Sequence, residues 1–100
     1  MIRLQIVERE GADLRKTLIR DMRKGALRTF SVTHRGRRVT HISPNYPGWM
    51  NWESTGGVLD CEILSPRRPG EEWKFLRAFI GRLAHRYTNR IRTITIQFSK

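Results

Sequence analysis

Ile2, Leu4 and Ile6 alternate with Arg3 and Gln5, and the same two-residue period returns at Leu59, Cys61 and Ile63 and again at Ile94, Ile96 and Phe98. A strand turns successive side chains to opposite faces, so each of these segments carries one apolar face that must be covered and one polar face that water tolerates. Segments of this kind at both ends and in the middle of a 100-residue chain require one sheet that gathers the whole chain around a single core. A single domain over residues 1–100 is therefore expected. Cys61 is the sole cysteine, so no intramolecular disulfide supplements that core, and its place among the apolar residues of its strand marks it as a small, inert core thiol.

Two segments break the two-residue period. From Asp13 to about Lys24, Leu14, Leu18, Ile19 and Met22 form a helical stripe, with Lys16, Arg20, Arg23 and Lys24 on another side and Gly25 as the stop. A second helix follows the Ser65-Pro66-Arg67-Arg68-Pro69-Gly70 turn, where Glu71 and Glu72 suit a helix start. Trp73, Leu76, Phe79, Ile80, Leu83, Ala84 and Tyr87 then fall on one broad apolar face, which leaves Phe75 outside it beside Ala78, Arg82 and Arg86. On this reading Phe75 awaits cover from another segment or a partner chain.

Between the helices, Leu27 to His34 and Arg37 to Ser43 read as a hairpin around Arg35-Gly36, with Phe30 opposite His41 and Val32 opposite Val39. Residues 44–57 follow neither period and read as the longest irregular segment. The expected order is β-α-β-β-β-α-β. Its simplest architecture is an α+β two-layer sandwich, a mixed or antiparallel five-stranded sheet with both helices on one face.

Twenty Lys and Arg against nine Asp and Glu give a net charge of +11, and sixteen of the twenty cations are Arg. Such a balance favours a polyanion as partner, whether nucleic acid, anionic lipid or an acidic protein, although codon usage also enriches arginine. No apolar run approaches the length of a membrane span and no leader pattern is evident, so a cytoplasmic chain with no membrane partner is expected. The candidate phosphate contacts are Arg35, Arg37 and Arg38 at the hairpin tip, Arg67 and Arg68 in the later turn, and Lys16, Arg20 and Arg23 on the first helix. Tyr46, Trp49 and Trp52, with Phe75, form an aromatic set suited to a subunit interface or to base stacking.

Catalysis has weaker support. His34, His41 and His85 do not form a sequence constellation, and Asp60 and Glu62 lack a third ligand, so they read as local partners for Arg. No catalytic residue, metal or cofactor is assigned. The leading expectation is a non-enzymatic basic module that contacts nucleic-acid phosphates with little sequence discrimination. Two alternatives stand beside it: a homodimeric or acidic-protein-binding subunit that uses the 44–57 segment and the sheet face, and a small toxin-like ribonuclease.

Overall fold

The computed structural model describes residues 1–33 and 35–99. Six strands run in the order β1 (Ile2–Glu8), β2 (Phe30–Thr33), β3 (Arg38–His41), β4 (Trp49–Thr55), β5 (Val58–Leu64) and β6 (Ile91–Phe98). Helix α1 (Leu14–Lys24) connects β1 to β2, and α2 (Glu72–Arg86) connects β5 to β6 through a short 3-10 turn, Thr88–Arg90. The strands form one antiparallel sheet in the order β2-β3-β4-β5-β1-β6. The chain is thus α+β, with two helices and six strands where five were expected. No helix among the described residues is long and apolar enough to cross a membrane.

The additional strand is β4, which occupies most of the segment read as irregular. Its alternation was hidden because Trp49 and Trp52 fall on opposite faces, so an apolar residue marks both. Gly56 and Gly57, at φ 56 and φ 80, form the two-residue turn that places Thr55 opposite Val58. A Gly-Gly pair suits such a turn because both central residues need positive φ. At the other end of β4, a Cβ on Gly48 would lie 2.0 Å from the Leu64 carbonyl oxygen, so only glycine lets the chain enter the sheet there.

Pairing carries the apolar face across the sheet. Leu4 lies opposite Cys61 and Cys61 opposite Trp52, while Ile2, Ile63, Met50, Val39 and Val32 form a second row. The β2–β3 hairpin has the expected register, Phe30 with His41 and Val32 with Val39. Leu14, Leu18 and Met22 of α1 and Phe75, Phe79 and Leu83 of α2 join these rows in one core cluster. Both helices therefore cover one face, and the opposite face stays polar. There Arg3 meets Glu62 at 3.0 Å and Gln5 donates to Asp60 at 3.1 Å, so the two carboxylates serve cross-strand partners.

Helix α2 is rotated from its expected phase. Phe75 is fully buried and packs edge-on against Phe30, with ring centroids 5.4 Å apart, whereas Trp73 is 47% exposed and Ala84 is exposed. Apolar residues occupy more than half of the helix circumference, so the sequence pattern did not fix which part faces the sheet; the ring of Phe30 selects the side bearing Phe75, Phe79 and Leu83. Helix α1 begins without a local side-chain cap, and the buried Glu8 carboxylate accepts the Leu14 N–H instead. The Tyr87 hydroxyl, at the end of α2, donates to Asp21 of α1 at 2.7 Å and ties the two helices together.

Phe75→Ala should cost about 3–5 kcal/mol in a urea unfolding experiment, as for other buried phenylalanines, while Trp73→Ala should change stability by about 0.5 kcal/mol or less. Burial, and then the hydrogen bond to Asp21, raise the Tyr87 phenol from its ordinary 10.0 to about 12. The native state favours the neutral phenol, so as pH rises the unfolded chain loses this proton first and stability should fall from pH 10 towards 12. Ultraviolet titration of the native protein should show a phenolate phase near 12 that Tyr87→Phe removes.

Candidate functional site

The β2–β3 hairpin turns at Arg35 and Gly36, both with positive φ (58 and 86), a twist that matches the flanking strands. β3 begins at Arg38 opposite Asn51, so β4 continues past it and residues beyond Asn51 have no β3 partner. The step between the short strand and the long one leaves a notch of about 840 Å³ at the hairpin tip. Arg37 and Arg38 line it from the hairpin, Asn51, Glu53 and Ser54 from β4, and Arg15 from α1.

A single carbonyl organises this corner. Gly36 O accepts Arg15 Nη2 at 2.8 Å and Trp52 Nε1 at 2.5 Å. The Arg15 guanidinium also lies 5.7 Å from the Trp52 ring centroid, which adds a cation–π contact. A Cβ on Gly36 would come within 3.3 Å of Ile19 Cδ1 and 3.5 Å of Arg15 Nη2, so the close approach of turn and helix requires glycine as much as the backbone conformation does.

The electrostatics of the notch are unbalanced. Three guanidiniums face one carboxylate, Glu53, and among the described residues no ion pair within 4.0 Å involves Arg15, Arg37 or Arg38. Arg15 Nε is buried without a hydrogen-bond acceptor. A buried N–H with no acceptor costs roughly 1–3 kcal/mol. The Arg38 guanidinium lies over Trp49, 4.4 Å from its ring centroid, on the polar side of the sheet.

The other residues singled out in the sequence fall into different places. Lys16, Arg20 and Arg23 lie exposed on α1, the helix that carries Arg15, and Arg20 is 3.5 Å from Asp21. Arg35 is exposed on the turn itself. Arg67 and Arg68 sit in the turn after Leu64, which pairs with Trp49 at the start of β4, and Arg68 is 3.7 Å from Glu71. Neither Arg67 nor Arg68 lines the notch.

The aromatic set is divided as well. Trp52 is buried and Trp49 half-buried, and Phe75 belongs to the core. Tyr46 stacks on His41 at 4.1 Å, with the Arg77 guanidinium 6.0 Å from the Tyr46 ring and 5.3 Å from that of Trp73. Burial, and then the charge of Arg82, lower the His41 pKa. His85 is exposed on α2, and His34 lies outside the described residues. Cys61 is buried, and that burial with the charge of Asp60 pushes its thiol up. Among the described residues, no group of three or more His, Cys, Asp or Glu side chains could hold a metal ion.

Sequence reasoning missed Arg15 and Asn51. Arg15 lies beside the basic stripe of α1 but on the flank shared with Ile19, four residues on, which turns it towards the hairpin. Pyrophosphate should raise the melting temperature, with a stabilisation of about 2.7 kcal/mol at a hundred times its Kd. Differential scanning fluorimetry should show that gain lost in the Arg37→Ala/Arg38→Ala double variant and kept in Arg67→Ala/Arg68→Ala.

Comparison with known proteins finds no family model, no curated protein and no solved structure that matches this chain, so a functional reading rests on the notch and its surroundings.

Proposed function

We propose that the protein is a nucleic-acid-binding module that contacts backbone phosphates through the arginine-lined notch and the adjoining hairpin tip. The observation that carries this reading is the convergence of Arg15, Arg37 and Arg38 on one notch where, among the described residues, none of the three has an acidic partner within 4.0 Å. Phosphate oxygens suit the forked donors of guanidinium groups. Asn51 and Ser54 provide neutral hydrogen-bonding groups at the same rim.

The surroundings fit a backbone track rather than a small-molecule pocket. Arg35 projects from the turn beside the notch, and Lys16, Arg20 and Arg23 continue the positive potential along α1. Contacts of this kind go to phosphates, which every sequence presents, so affinity comes with little base discrimination. Glu53 at the rim disfavours a deeply seated dianion and suits a strand that passes over the opening.

Net charge alone would make all surface arginines equivalent, whereas the notch makes them unequal. Arg37→Ala/Arg38→Ala and Arg67→Ala/Arg68→Ala each remove two positive charges. Fluorescence anisotropy with duplex DNA and with RNA across a salt series should show a steep loss of wild-type affinity as salt rises. The first double variant should flatten the log–log slope by about 0.9 for each lost duplex phosphate contact, or about 0.7 on a single strand, and the second should change it less. Equal losses would reduce the effect to bulk charge, and wild-type affinity that ignores salt would refute phosphate binding.

A further inference from the structure

The sheet has two unlike edges. β2 is four residues long, whereas β6 runs eight residues from Ile91 to Phe98 and pairs with β1 on one side only. Ile94, Ile96 and Phe98 lie opposite Ile6, Leu4 and Ile2, which places all three on the face that bears the helices. The helices leave the outer part of this row uncovered: Ile96 is 39% exposed and Phe98 71%, with Met1 beside them at 41%. Thr93, Thr95 and Gln97 occupy the other face. A long edge with an apolar row and no proline is a template for pairing, which folded proteins ordinarily blunt with charge, a bulge or cover.

β6 departs from that practice where the rest of the chain is saturated with charge. Its one ionisable residue, Arg92, lies at the register shift near its start, so the regular stretch from Thr93 to Phe98 carries no charge. Read antiparallel to itself about Ile96, this stretch is its own complement. Ile96 meets Ile96 of the second copy, Ile94 meets Phe98, and Phe98 meets Ile94, while Thr95 and Gln97 meet on the polar face. Every pair is apolar with apolar or neutral polar with neutral polar, the arrangement an isologous two-fold contact demands.

We infer that two copies of this chain associate through antiparallel β6–β6 pairing about Ile96, which joins two six-stranded sheets into one. A second copy is favoured over another partner because a cationic edge would repel its twin and recruit an acidic protein, whereas this one offers no charge to recruit. A two-fold axis perpendicular to the sheet puts both helix layers on the same side, so Ile96 and Phe98 of the two copies share one apolar seam. The notch lies at the β3–β4 step, across the sheet from β6, so both notches stay open in the dimer.

Sedimentation equilibrium of nuclease-treated protein at high salt, where phosphate contacts are screened, tests the pairing separately from nucleic-acid binding. The wild type should show twice the 11.8 kDa chain mass across a micromolar concentration series. Ile96→Lys, which sets two ammonium groups face to face, should give a folded monomer by circular dichroism and sedimentation. Ile96→Cys should form an interchain disulfide on mild oxidation, because directly opposed residues lie within disulfide reach, while buried Cys61 leaves the wild type uncrosslinked. A monomeric wild type, a dimer that persists in Ile96→Lys, or an Ile96→Cys protein that does not crosslink would each overturn the inference.

Discussion

The Gly36 carbonyl oxygen is the point at which helix, hairpin and sheet meet. It takes one N–H from Arg15 of α1 and one from Trp52 of β4, so a turn that would otherwise project into solvent is fastened on two sides. Each bond contributes roughly 1 kcal/mol net, more for the charged donor, yet their structural consequence is larger than that sum. They set where β3 begins relative to β4, and the step between those strands is the notch. They also hold Arg15 close to the Trp52 ring, where this residue lines the notch.

The surplus of positive charge takes on meaning from how the acidic residues are used. Glu8 accepts the first N–H of α1, Glu72 accepts the Gly70 N–H, Asp60 accepts from Gln5, and Asp21 accepts from Tyr87. Four of the nine acids thus satisfy neutral donors of the fold, and only Asp21 of these also meets an arginine. Glu62 and Glu71 hold Arg3, Arg68 and Lys74. At the hairpin tip and along α1 the cations outnumber the acids and repel one another. A bound polyanion would relieve that repulsion, so the proposed phosphate binding would be thermodynamically linked to stability.

Much of the fold was legible because it follows local rules. Alternation at Ile2–Ile6, Leu59–Ile63 and Ile94–Phe98 located three strands, and Arg35-Gly36 fixed the register of Phe30 against His41. β4 was missed because tryptophans on both faces erase the two-residue period, and its turn signal, Gly56-Gly57, was absorbed into a segment already rich in proline and glycine. The phase of α2 was misjudged for a related reason. A helix apolar around most of its surface is oriented by its neighbours, and Phe30 chooses Phe75 over Trp73 only once the hairpin is folded beneath it. The hairpin-tip arginines were readable as a cluster, but Arg15 came to them through a contact with Gly36, 21 residues on, which no local pattern encodes.

The hairpin-tip cations and the exposed apolar row thus lie at opposite edges of the sheet. At the β2–β3 side, cations concentrate on a protruding turn and on α1; at the β6 side, the exposed row is Ile96 and Phe98 with no charge beyond Arg92. That separation follows from topology. β1 and β6, the first and last strands, lie side by side, which brings the chain ends to one edge and pushes the β2–β3 hairpin to the other. A chain of +11 that spread its arginines evenly would repel its own kind from every direction. The regular stretch of β6 carries none of them, which leaves an edge where screened electrostatics no longer opposes the pairing of backbone and apolar side chains, so the proposed phosphate contacts and the inferred association with a second copy are compatible in one small protein.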